Sequence, residues 1–204
     1  MIVTTRRGTP TIRARAVVAG LVLAITGLIL VAVPGSVAAS ASRRATIPDV
    51  TVLFGRAVHV VRRTSRPTFA RAVVLEVDGF TRGGKKVTTA AGIIEWRFVF
   101  DNQLSRSRFS SATIVYGPRP AKFGKVNGYR QPFLEDLRLS KAPKMTLAAA
   151  VARLKQAGFS KGFFNVTLRK PVARRRLNPL YIFSIGAGRF VAVDTVTKRV
   201  QRFR

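Results

Sequence analysis

The sequence has no cysteine. No disulfide staples the fold, and thiolate zinc sites, thiol nucleophiles and a cysteine-borne lipid anchor are excluded. It has one histidine, His59, which rules out a multi-histidine metal centre. Acids are scarce as well: eight Asp and Glu stand against 37 Lys and Arg, for a formal charge of +29. A field of that sign draws polyanions and keeps copies of the chain apart. It speaks to partners and solubility rather than to fold.

Few carboxylates means few candidates for acid–base chemistry. They are Glu76 with Asp78, Glu95, and Glu135 with Asp136. Among so many arginines, each is expected in an ion pair. Phosphate-cradling loops are missing too. Gly124-Lys125 lacks the upstream glycine and the following hydroxyl residue. Gly186-Ala187-Gly188 lacks a third glycine and a helix after it. Gly158-Phe159-Ser160-Lys161-Gly162 has the G-x-S-x-G spacing, but a helix pattern precedes it and a strand pattern follows, the reverse of a nucleophile elbow. A helix cap is the expected role. His59 lies in an apolar, arginine-flanked stretch, where an ordinary surface or half-buried imidazole is expected. No catalytic residue and no cofactor site is assigned.

What is present begins at the N-terminus. Arg6, Arg7, Arg13 and Arg15 precede an apolar run from Ala16 to Val33. Pro34-Gly35 breaks the run, and small residues follow. Basic, apolar, helix-breaking, small is the order of a signal peptide, with Ala39-Ser40-Ala41 as the cleavage site and Ser36-Val37-Ala38 as a second choice. Residues 1–41 are therefore expected to be an export signal. The run over 16–33 is also just long enough for an uncleaved membrane anchor. In both readings the rest of the chain lies outside the cytoplasm, and most of the positive charge goes with it.

Leu147, Ala150, Val151 and Leu154 recur at helical spacing, with Thr146 as N-cap and Gly158 as stop, so 146–157 is expected to be a helix. Three strand patterns follow at 163–169, 180–184 and 189–195, the last two joined by a glycine turn. The first half carries an apolar stretch with arginine interruptions at 52–61. Next come a helix-to-strand candidate at 69–77 after Pro67, a turn at Asp78-Gly79, and strands at 93–100 and 112–116. Residues 117–144 have the composition of a linker or an extended edge.

The expected fold is therefore α+β: a helix packed on an antiparallel sheet of three to four strands. Two such repeats are expected, at 48–130 and 141–204. The helix ending in Ala157-Gly158-Phe159 and the run Val193-Asp194, Thr197, Val200 resemble the PepSY domain, with Lys198 standing where that family usually has glycine. The resemblance covers about 145–204. It implies an exported helix-on-sheet module without catalytic residues, acting on peptidases or other envelope proteins.

The functional expectation is an exported, non-enzymatic binding module at the cell envelope that engages an envelope or secreted protein or peptide. The first alternative is a cationic binder of anionic wall polymer, lipid surface or nucleic acid. For it the candidate residues are Arg174, Arg175, Arg176, Lys85, Lys86, Lys198 and Arg199. The second alternative is a hydrolase around Ser160 or His59.

Overall fold

The computed structural model describes residues 46–64, 68–103, 107–133, 136–172 and 178–203. The signal segment with Ala39 and Ala41, and also Pro67 and Glu135, lie outside them. Among the described residues no helix is long and apolar enough to cross a membrane. The described residues all belong to one compact unit.

Helix α1 spans Val50–Thr64. Val50, Leu53, Phe54, Ala57 and Val61 recur every three to four residues and are all buried. Arg56, which interrupts this stretch in the sequence, is exposed, with its guanidinium 5.9 Å over the Tyr116 and Phe123 rings. Helix α2 spans Leu147–Gln156 and buries Leu147, Ala150, Val151 and Leu154. Thr146 caps it, accepting a hydrogen bond from the Ala149 N–H at 3.2 Å. Its end is a Schellman turn: Gly158 adopts φ 88°, Gly158 N–H donates to Lys155, and Phe159 N–H donates to Leu154.

The strands are β1 (Val73–Thr81), β2 (Ile93–Asp101), β3 (Ser111–Pro118), β4 (Ala121–Phe123), β5 (Asn127–Tyr129), β6 (Asp136–Leu137), β7 (Asn165–Pro171), β8 (Leu180–Gly186), β9 (Arg189–Asp194) and β10 (Val200–Phe203). They pair in the order β10-β9-β8-β7-β1-β2-β3-β4. β5 follows β4 along the same side of β3, and β6 pairs with the end of β7.

This corrects the expected fold. Helix and strand are both present, but among the described residues there is a single ten-stranded antiparallel sheet with two α-helices, not a helix on three or four strands. The reason is the seam between β1 and β7, which pair antiparallel from Glu76 opposite Arg169 to Phe80 opposite Asn165. Separate sheets would leave two open inner edges, and the seam removes both. Each strand at the seam is the first after its half's helix, so the strand order reads alike from either side. Asp78-Gly79, expected as a turn, lies in the middle of β1. Glycine is needed there because a Cβ would come within 2.7 Å of the Trp96 ring and 2.9 Å of Val166. Residues 117–144, expected as a linker or an extended edge, hold β4, β5 and β6.

Both helices lie on one face of the sheet. Their apolar stripes and Val74, Val77, Trp96, Phe98, Phe100, Ile114, Leu168, Tyr181, Phe183, Val191 and Val193 form one continuous core. The opposite face carries a small apolar cluster of Leu180, Ile182 and Ala192.

The two helix N-termini meet at Asp49. Its Oδ1 accepts from the Thr51 N–H at 3.0 Å and the Thr51 hydroxyl at 2.9 Å, which caps α1. Its Oδ2 accepts from the Leu147 N–H of α2 at 2.9 Å. The Tyr181 hydroxyl donates to the Met145 carbonyl just before α2. Burial, then the Asp49 charge, push that phenol well above its usual pKa and keep it a donor.

Candidate functional site

A groove of about 870 Å³ lies between the start of α2 and the turn joining β9 to β10. Its floor and one wall come from residues 141–146, with Pro143 and Met145 buried. Ala149 and Arg153, four apart on the solvent face of α2, form the next side. Pro179, Thr195, Val196 and Lys198 close it opposite.

The β9–β10 turn is held by its own polar groups. Asp194 Oδ1 accepts from the Val196 and Thr197 N–H groups, each at 2.8 Å, and Oδ2 accepts from the Asn178 amide at 3.0 Å. Burial raises this carboxyl, but those backbone and amide donors outweigh it and leave its pKa below the usual value. The Thr195 hydroxyl donates to the Pro179 carbonyl at 2.8 Å. Lys198 completes the turn with φ 62°, a left-handed backbone that glycine adopts without strain.

The groove is electrostatically one-sided. Lys141, Lys144, Arg153 and Lys198 line it, and no carboxylate does among the described residues. Most acids among the described residues are engaged in contacts of their own. Asp49 caps the helices, and Asp194 holds its turn. Asp78 pairs with Arg97 at 2.7 Å, and Asp101 with Arg138 at 2.8 Å. On the outer face Arg169 lies 3.7 Å from Glu76 and 3.6 Å from Asp136. Burial, then the neighbouring Asp78 and Asp136, raise the Glu76 carboxyl from 4.5 to about 8. The distant guanidinium, shared by two acids, does not offset them.

The expected site residues are dispersed. Lys198 is in the groove and Arg199 is exposed beside it. Lys85 and Lys86 are exposed beyond the other end of β9, where the Lys86 ammonium sits 5.4 Å over the Phe164 ring, near the hairpin tip at Gly186. Six residues of strand, roughly 20 Å, separate the two patches. Arg174, Arg175 and Arg176 lie outside the described residues. His59 is exposed on α1, and Ser160 is exposed in the turn after α2, so the G-x-S-x-G run is a helix end. Glu95 is half-buried on β2 and is not drawn into the Glu76–Asp78–Asp136 group. Among the described residues no three His, Asp or Glu are placed to hold a metal ion.

Lys141, Lys144 and Arg153 were not expected as site residues. The signal available for Arg153 was its spacing: Thr146, Ala149 and Arg153 share the face of α2 opposite its buried stripe. No family model matches the chain, and no curated protein or solved structure matches it.

Proposed function

We propose that the chain is an exported, non-enzymatic binding module that captures an anionic ligand in the groove beside α2. The observation that carries this reading is a groove with four cationic side chains and an apolar floor, lined by no carboxylate among the described residues. In such a setting the cations lower the free energy of an anion without first having to break ion pairs of their own. Export rests on the N-terminal arginines, the apolar run and the Ala39-Ser40-Ala41 site.

The test is retention on immobilised polyphosphate across a salt series. Each cation that contacts the polymer contributes about 0.7–0.9 to the slope of log affinity against log salt. Changing Lys141, Lys144, Arg153 and Lys198 together to Gln should reduce that slope by roughly 3. The Lys85→Gln/Lys86→Gln variant should change it far less. Equal losses in the two variants would assign binding to the overall field and sink the groove.

A second reading, modulation of a secreted peptidase, is supported by one detail. The left-handed backbone at Lys198 falls where the PepSY run usually carries glycine. Inhibition or stabilisation of any member of a panel of secreted peptidases would favour this reading, and inertness across the panel would count against it.

A further inference from the structure

We infer that the groove takes a single-chain amphiphile with an anionic headgroup; this rests on the anion-binding reading above and deepens it. The cations and the apolar surface form one site. Lys141, Lys144, Arg153 and Lys198 supply the charge, while Pro143 and Met145 supply the buried floor. Val196, which closes the groove opposite α2, is 64% exposed, and a ligand tail laid against it would remove that apolar area from water. The volume lies within the usual range of small-ligand sites.

The polar inventory disfavours a peptide. The two lining hydroxyls are already engaged, Thr146 with the Ala149 N–H and Thr195 with the Pro179 carbonyl. No lining side chain is an amide or carboxylate, so a peptide would find few side-chain acceptors for its N–H groups there. An aliphatic chain needs none. A phosphate or carboxylate head needs only the lysine and arginine donors, whose methylene stems can lie along the tail. Lys198 adds an independent sign. It holds a left-handed backbone at a position where glycine would relieve the strain. From there its side chain lines the groove.

The experiment titrates the full chain with dodecyl phosphate, laurate, dodecanol and inorganic phosphate, below micelle formation. Wild type is compared with Lys144→Gln/Lys198→Gln and with Ala149→Trp, which fills the groove from an exposed helix position. All variants share residues 16–33, so whatever that apolar run binds cancels in the comparison. Dodecyl phosphate and laurate should bind at least about tenfold tighter than dodecanol or inorganic phosphate, a difference of about 1.4 kcal/mol. The charge variant should weaken them by about tenfold or more, and Ala149→Trp should abolish saturable binding. If inorganic phosphate binds as well as dodecyl phosphate and the charge variant weakens both, the groove is an anion site and the amphiphile proposal fails alone. If no substitution in the groove alters binding of any probe, both readings fail. Equal competition by an oligoglutamate peptide would overturn the amphiphile in favour of an acidic chain.

Discussion

Asp49→Ala should cost more than the loss of an ordinary helix cap. One carboxylate serves two helices. It accepts from the N–H and hydroxyl of Thr51 in α1 and from the N–H of Leu147 in α2. Loss of an N-cap side chain costs about 1 kcal/mol. The Leu147 N–H loses a charge-assisted partner in a half-buried setting, about 1.5 kcal/mol more. The positive ends of two helix dipoles lose their shared counter-charge, at about 0.3–1 kcal/mol each. Since these terms overlap, the expected total is about 3 kcal/mol. For a unit of this size that corresponds to a fall in Tm of roughly 6–12 °C. Circular dichroism melts and urea unfolding would measure it, with Thr146→Ala as the reference. That variant removes the cap of α2 alone and should cost about 1 kcal/mol. Asp49→Asn, which keeps an acceptor oxygen but no charge, should fall between them. A loss for Asp49→Ala no greater than that for Thr146→Ala would refute the shared cap.

Three other outcomes follow from single residues. Glu76 has a folded-state pKa of about 8 against 4.5 unfolded, so its contribution is intact below pH 4.5 and is lost as pH rises through 8. Glu76→Gln should flatten that decline in urea-unfolding free energy between pH 5 and pH 9, and an unchanged slope would contradict it. Gly162→Ala should destabilise by about 3 kcal/mol or more, because φ is 83° and a Cβ would meet the Val87 carbonyl oxygen; calorimetry showing less than about 1 kcal/mol would refute the contact. Lys198→Gly should leave stability unchanged or raise it by up to about 1 kcal/mol while weakening anion binding, and parallel loss of both would make Lys198 structural.

What was legible in the sequence was local. The 3.6-residue recurrence from Leu147 to Leu154, the cap at Thr146 and the strand pattern at 189–195 each appear as expected in α2 and β9. So does the strand at 93–100, which is β2. What was illegible was pairing between distant strands. The β1–β7 seam joins residues nearly ninety positions apart, and nothing within either strand announces its partner. Asp78 misled for the same reason. In a short window Asp-Gly signals a turn, whereas here the carboxylate takes Arg97 from β2 and the Thr167 hydroxyl from β7, binding three strands together. The groove was half legible. Lys198 stood out by charge, but Lys141, Lys144 and Arg153 became neighbours of it only through the packing of α2 on β9.

The first turn of α2 shows how stability and binding compete at this site. Thr146 caps the helix by accepting from the N–H of Ala149, the third helical residue. A glutamate there would complete a capping box, oppose the helix dipole and reach Arg153 four residues on. Yet the first turn contains no acid. Ala149→Glu should therefore stabilise the protein by about 0.5–1 kcal/mol, a gain measurable as a rise in urea midpoint. The same carboxylate would stand in the groove among Lys141, Lys144, Arg153 and Lys198 and neutralise part of the field that attracts a ligand. Anion retention should fall by about tenfold or more at low salt, and the difference should shrink as salt screens both charges. A variant that is more stable and binds equally well would show that the missing acid has no functional meaning. A variant that gains stability and loses binding would identify the alanine at 149 as a place where the chain forgoes helix stability to keep the groove positive.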